Sequence, residues 1–151
     1  MSAAFGQVPT RRGARSLLSA AITDIAGSSQ WFERGFVTYS NAAKIEQLRV
    51  SPDTLERFGA VSEQIAMEMA GGVLAVVPRA HLALSTTGIA GPGGATPGKP
   101  VGMVCFGIAR RTGTGIVTRA VTQVFEGDRE AVRAAAVRRA LQAALVELGK
   151  A

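Results

Sequence analysis

The chain has 151 residues, of which 47% are hydrophobic and 19% are charged. This length corresponds to one domain, and this composition excludes a disordered chain. Its one cysteine, Cys105, excludes an intramolecular disulfide, and no Cys/His cluster has the spacing of a zinc site. The longest uninterrupted apolar run, residues 73–77, is far too short to span a membrane.

The excess of basic residues suggests nucleic-acid binding, but the positions of these residues argue against it. There are 17 basic and 11 acidic residues, for a net charge of +6. Arg11, Arg12 and Arg15 supply half of that excess from an N-terminal segment, and the other arginines are scattered. One Trp and one Tyr are too few to stack a single strand. We therefore do not expect a nucleic-acid partner.

The arginines at 11–15 faintly resemble a twin-arginine leader. The apolar stretch after them stops at Ile22, and Asp24 follows, so it is shorter than an export signal requires. We expect a cytoplasmic protein.

Helices and strands are predicted from apolar periodicity and from residues typical of helix starts, which are Ser40, Ser51, Ser62 and Asp128. Residues 1–16 form an irregular basic segment, and residues 17–151 form the domain. Helices are predicted at 16–23, 42–48, 52–58, 63–77 and 129–148, and strands at 36–39, 80–87, 101–109 and 116–125. The last two strands make a hairpin through a turn at 110–115. Alternating helices and strands indicate an α/β layered domain.

Arginines are also found within the last helix. There, Arg133, Arg138 and Arg139 fall mostly off the apolar stripe.

A glycine-rich loop at 88–100 is the first candidate site. It follows the predicted strand that ends at Thr87, and glycine lets backbone N–H groups approach an anion closely. It does not match a P-loop, because Lys99 is followed by Pro100 and no helix follows. An ordered connector remains the alternative.

Two further candidates lie at helix starts. Ser40 and Lys44 are four residues apart and would share a helical face near Tyr39; a desolvated lysine there can act as a base. The alternative is a cap followed by a solvated lysine. Arg129 follows the capping residue Asp128, where an arginine beside helix N–H groups suits a phosphate. The alternative is a surface arginine.

Six motifs in order resemble the CinA C-terminal domain family of nicotinamide-nucleotide amidohydrolases. The resemblance runs from about Leu17 to the C-terminus. The motifs are Thr23-Asp24-Ile25-Ala26-Gly27-Ser28-Ser29, Tyr39-Ser40-Asn41-x-x-Lys44, Gly59-Ala60-Val61-Ser62, Thr87-Gly88-Ile89-Ala90-Gly91-Pro92-Gly93-Gly94, Lys99-Pro100-Val101-Gly102 and Gly127-Asp128-Arg129.

The resemblance implies a single α/β/α three-layer domain and a reaction. The family hydrolyses the carboxamide of nicotinamide mononucleotide, giving nicotinate mononucleotide and ammonia, with a Ser nucleophile and a Lys base and without metal or cofactor. It implies that Lys44 is the base and Tyr39 its neighbouring tyrosine. Substrate contacts are implied for Ser40, Asn41, Thr87, Gly88 and Arg129, the last with the phosphate.

The chain departs from the family where the nucleophile should lie. The family has Glu-Ser-Cys-Thr-Gly-Gly immediately before the helix that begins at Leu17, and ungapped counting places Arg12 at the serine position. The family's first helix and first strand also have too little sequence here. We therefore expect no turnover from these 151 residues, and an open sheet edge that is compatible with a homo-oligomer.

Two explanations for this departure stay open. One is a start codon or reading frame assigned wrongly, with a longer and active protein. The other is a degenerate member that binds a nucleotide or a protein partner without catalysis.

Overall fold

The computed structural model describes residues 16–149, so Arg11, Arg12 and Arg15 lie outside the described residues. Within this range the chain forms five α-helices, one short 3₁₀ helix and one sheet of three strands. The elements are α1 (Leu17–Thr23), the 3₁₀ helix (Ser28–Gln30), α2 (Asn41–Leu48), α3 (Pro52–Phe58), α4 (Glu63–Val76), β1 (Leu82–Gly88), β2 (Met103–Thr112), β3 (Gly115–Val124) and α5 (Arg129–Leu148).

Side-chain caps start four of these helices, as the sequence predicted. The side chains of Ser40, Ser51, Ser62 and Asp128 each accept a hydrogen bond from the backbone N–H three residues later. Such a bond satisfies one of the N–H groups that a helix start leaves without a partner. Pro52 follows its cap in the first turn of α3, where its fixed φ angle suits a helix.

The sheet is antiparallel throughout, in the order β1-β2-β3. The predicted hairpin is confirmed, but its turn is shorter than predicted: Thr112 pairs with Gly115, which leaves a loop of Gly113 and Thr114. Residues 110–112 therefore belong to β2. Arg111 is held against the body of the domain because its guanidinium donates to the carbonyl oxygens of Ala80 and Leu74.

Two hydrophobic cores lie on opposite faces of the sheet. On one face, α4 packs with α2 and α3 through residues such as Ile65 and Leu74, against Ala83 and Ala109 of the strands. On the other face, α1 and α5 pack against the side chain of Phe106 and its neighbours. This arrangement confirms the three-layer α/β/α fold.

The predicted strand at 36–39 is wrong. These residues are in no helix or strand, and the carbonyl oxygens of Thr38 and Tyr39 accept hydrogen bonds from the Lys44 ammonium group. A side chain thus takes the place that a neighbouring strand would occupy. Within residues 16–149, β1 and β3 each pair on one side only, so both edges of the sheet are open there. No helix in this range is long and apolar enough to cross a membrane.

Candidate active site

A cavity of about 360 Å³ lies between the start of α5, the end of β1 and the segment that leads into α2. Five of the seven residues singled out from the sequence line it. They are Tyr39, Lys44, Thr87, Gly88 and Arg129. Residues far apart in the chain therefore meet at one cavity.

Ser40 and Asn41 are not among the described residues that line this cavity. The Ser40 hydroxyl caps α2 by accepting from the N–H of Ala43 at 3.0 Å, and Asn41 is the exposed first residue of that helix. Of the glycine-rich loop, Gly88 and Ala90 reach the cavity. Ser40 and Asn41 are therefore neighbours of the cavity in the chain and do not line it.

Lys44 is the buried charged group of the site. One turn into α2, it is only 6% exposed, and its Nζ donates to the carbonyl oxygens of Thr38 at 2.9 Å and Tyr39 at 3.3 Å. Burial lowers the pKa of the Lys44 amine below its ordinary value, because desolvation penalises the charged form. The solvated lysine of the alternative interpretation is therefore wrong, although Ser40 is the cap that it predicted.

This arrangement suits Lys44 to take a proton. A neutral amine has two N–H donors and one lone pair. The two carbonyl oxygens can accept from both of those donors, so in the neutral form the lone pair is not used in these two contacts. A lysine that is neutral more readily than usual is what general-base catalysis requires. Tyr39 lines the same cavity beside it with a side chain that is 65% exposed.

Thr87 and Gly88 place the end of β1 against the cavity. The Thr87 hydroxyl donates to the Ala60 carbonyl at 2.7 Å, which ties the strand to the segment before α4. A Cβ atom at Gly88 would lie 2.8 Å from the carbonyl oxygen of Met103, closer than real Cβ contacts come. A side chain at position 88 would therefore push β1 away from β2.

Arg129 and Arg133 line the cavity from α5. Arg129 is exposed, and its Nη1 donates to the Gly91 carbonyl at 3.0 Å. Arg133 lies one turn further, half-buried, and its Nε and Nη2 are buried without a hydrogen-bond partner among the described residues. Sequence reasoning missed Arg133. The signal was its spacing of four residues from Arg129, which places both on one helical face.

The cavity is cationic. Arg129 and Arg133 line it together with Lys44, so its positive charge does not depend on the protonation of the lysine, and no aspartate or glutamate is found among its described lining residues. Across residues 16–149, no three His, Cys, Asp or Glu side chains cluster as metal ligands. The charge of the lining residues is complementary to an anion.

The class of this α/β/α domain, with its buried lysine in a cationic cavity, is identified by comparison with known proteins. The CinA C-terminal domain model matches residues 16–148. The chain belongs to this family.

Relatives and solved structures agree with that assignment. The nicotinamide-nucleotide amidohydrolase PncC of Enterobacter agglomerans is 57% identical over 134 residues, covering 89% of this chain and 79% of the relative. A CinA-like protein of Chlorobaculum tepidum is 50% identical over 133 residues, covering 87% of this chain but 31% of that longer protein. The crystal structure of competence damage-inducible protein A from Klebsiella pneumoniae superposes with a TM-score of 0.85 at 34% identity, covering 98% of this chain and 86% of that one.

Proposed function

We propose that this cavity binds nicotinamide mononucleotide and is built for hydrolysis of its carboxamide to nicotinate mononucleotide and ammonia. The observation that carries the proposal is Lys44, a buried amine with a lowered pKa in a cavity of positive charge. The names of relatives such as the Enterobacter agglomerans amidohydrolase support the same reaction.

Each group in the proposed reaction has a separate role. A serine hydroxyl transfers its proton to Nζ of Lys44 as its oxygen bonds to the carboxamide carbon. Lys44 returns the proton to the nitrogen as the C–N bond breaks and ammonia leaves. Water, deprotonated by the same amine, then bonds to the carbon of the resulting ester. Lys44 passes that proton to the serine oxygen as the ester bond breaks and nicotinate mononucleotide is released. Tyr39 orients or relays the proton, and Thr87 and Gly88 position the substrate against the end of β1.

The serine is the component that the described cavity does not supply. The family's nucleophile corresponds by ungapped counting to Arg12, outside the described residues, and an arginine cannot attack a carboxamide. We propose that the 151-residue chain binds the nucleotide and does not turn it over.

Binding and turnover are tested separately on the 151-residue chain. Titration calorimetry with nicotinamide mononucleotide should show saturable binding, and an ammonia assay should show release at the uncatalysed rate. Absence of binding would overturn the nucleotide proposal. Ammonia release that disappears in Lys44→Ala would instead show an active amidohydrolase and overturn the proposed lack of turnover. Arg12→Ser, with Arg11→Ser as its matched control, tests whether a hydroxyl at that position restores release.

A further inference from the structure

Arg133 has two guanidinium nitrogen atoms that the described fold leaves without a hydrogen-bond partner. Its Nε and Nη2 atoms are both buried at the cavity and have no hydrogen-bond acceptor among residues 16–149. Burial of a polar N–H group without a hydrogen-bond acceptor costs free energy. The missing acceptor is therefore expected to come from a molecule in the cavity.

The two unpaired atoms belong to one edge of the guanidinium. The N–H bonds of Nε and Nη2 point the same way and are spaced to meet two oxygen atoms of one phosphate or carboxylate group. No acidic side chain among the described lining residues competes for this edge. Arg133 thus has the geometry for bidentate binding of an anion.

Arg129 is less suited to that role, although the sequence pattern pointed to it. It is exposed, and its Nη1 donates to the Gly91 carbonyl. Charge pairs in water contribute little to affinity, because solvent screens them. Its hydrogen bond instead attaches the glycine-rich loop to the start of α5. Arg129 is thus a positioning residue for the loop.

We infer that Arg133 binds the phosphate monoester of the nucleotide and sets the preference of the site for phosphorylated ligands. The inference rests on the proposed function only in taking a nucleotide as the ligand. The carboxylate of the product nicotinate mononucleotide has a similar pair of oxygen atoms, so the test must separate the two groups.

The test measures binding, not turnover, on the 151-residue chain by titration calorimetry. Four ligands distinguish the groups: nicotinamide mononucleotide, nicotinate mononucleotide, nicotinamide riboside without the phosphate, and adenosine monophosphate without the nicotinamide. Four variants distinguish the arginines: Arg133→Gln, Arg133→Lys, Arg129→Gln, and Arg138→Gln, an exposed arginine on the same helix that serves as the control. Urea unfolding of each variant checks that it is folded.

We expect the wild-type chain to bind the mononucleotides more tightly than the riboside. Arg133→Gln should weaken binding of both nicotinamide and nicotinate mononucleotides about 10- to 100-fold, the range for losing hydrogen bonds to a charged group, and leave the riboside unchanged. Arg133→Lys should lose part of that affinity, because it keeps the charge without the paired donors. Arg138→Gln should match the wild type, and Arg129→Gln should keep the preference for the phosphate.

Three results would overturn the inference. The first is that the wild type binds the riboside and the mononucleotides equally well. The second is that Arg133→Gln keeps the wild-type preference for the mononucleotides. The third is that Arg133→Gln weakens binding of nicotinate mononucleotide alone, which would assign Arg133 to the carboxylate. Binding of adenosine monophosphate distinguishes failure of this inference from failure of the proposed function. If adenosine monophosphate binds through Arg133 and the nicotinamide ligands do not, the phosphate inference stands and the nicotinamide assignment fails.

Discussion

Lys44 shows how one buried residue joins the fold to the chemistry. Its Nζ donates to the carbonyl oxygens of Thr38 and Tyr39, so it secures the non-helical segment before α2. The same burial lowers the pKa of its amine. The segment is therefore stabilised by the group that is proposed to act as the base, and a substitution at position 44 affects both stability and chemistry.

The lowered pKa of Lys44 predicts a pH dependence of stability. In the unfolded chain the amine titrates near its ordinary value of 10.5, and in the folded chain at a lower pH. Between these two pKa values the unfolded state binds more protons, so the free energy of unfolding rises with pH, by at most about 1.4 kcal/mol per pH unit. Below the folded pKa both states are protonated, and burial of the charge destabilises the fold in full.

Lys44→Met, which lacks the amine, should remove this contribution. Urea unfolding of wild type and variant at intervals between pH 7 and pH 10.5 measures the difference in their stabilities. That difference should shift in favour of the wild type as the pH rises. A difference that is constant across the whole range would show that burial does not perturb the titration of Lys44.

Helix α4 lies close to the end of α2, and substitutions at two adjacent glycines of α4 test this contact. A Cβ atom at Gly72 would overlap the backbone carbonyl of Leu48 at the end of α2, whereas one at Gly71 would lie 3.2 Å from the Thr118 methyl group, a flexible neighbour. Gly→Ala inside a helix gains about 1 kcal/mol when space allows. Gly72→Ala should nevertheless destabilise the domain by about 3 kcal/mol, the upper range for overpacking, because backbone cannot yield.

Gly71→Ala is the matched control, with the same chemical change one residue earlier. We expect its stability to lie within about 1 kcal/mol of the wild type, since only a methyl group must shift. Thermal or urea unfolding of the two variants measures the contrast. Equal stabilities would show that α2 and α4 can separate without cost at this contact.

The helices were predictable because their signals are local. Ser40, Ser51, Ser62 and Asp128 cap helices where the sequence placed them, since a cap and its N–H partner are three residues apart. The strand at 36–39 could not be separated from an unpaired extended segment, because pairing depends on a distant partner.

Arg133 was missed for a different reason. Helical periodicity separates an apolar stripe from the rest of the helix and assigns the rest to solvent. A cavity between α5 and the sheet breaks that assignment, because a residue off the stripe can face the cavity. The spacing of four residues between Arg129 and Arg133 indicates a shared helical face, but whether that face borders a cavity depends on the distance between two layers, which no local pattern records. Whether the open edges of the sheet pair with a second copy of the chain likewise stays a prediction.

At the scale of the whole molecule, one sheet lies between two hydrophobic cores, and different helices contribute to each core. Val73 of α4 is buried in the core on one face, and Val132 of α5 is buried in the core on the other. Neither layer can keep its apolar surface from water without the strands between them. We therefore expect the domain to unfold as one cooperative unit.

Matched valine truncations test both parts of this expectation. Val73→Ala and Val132→Ala should each destabilise the domain by about 1–3 kcal/mol, through lost apolar burial. Because the two sites lie in separate clusters, the double variant should lose the sum of the two values to within about 0.5 kcal/mol. Urea unfolding followed by helical circular dichroism and by fluorescence of Trp31, the one tryptophan, should give coincident single transitions. Separate transitions would instead mean that one helical layer can leave the sheet while the other stays folded, and the cavity beneath α5 would then open without unfolding of α4.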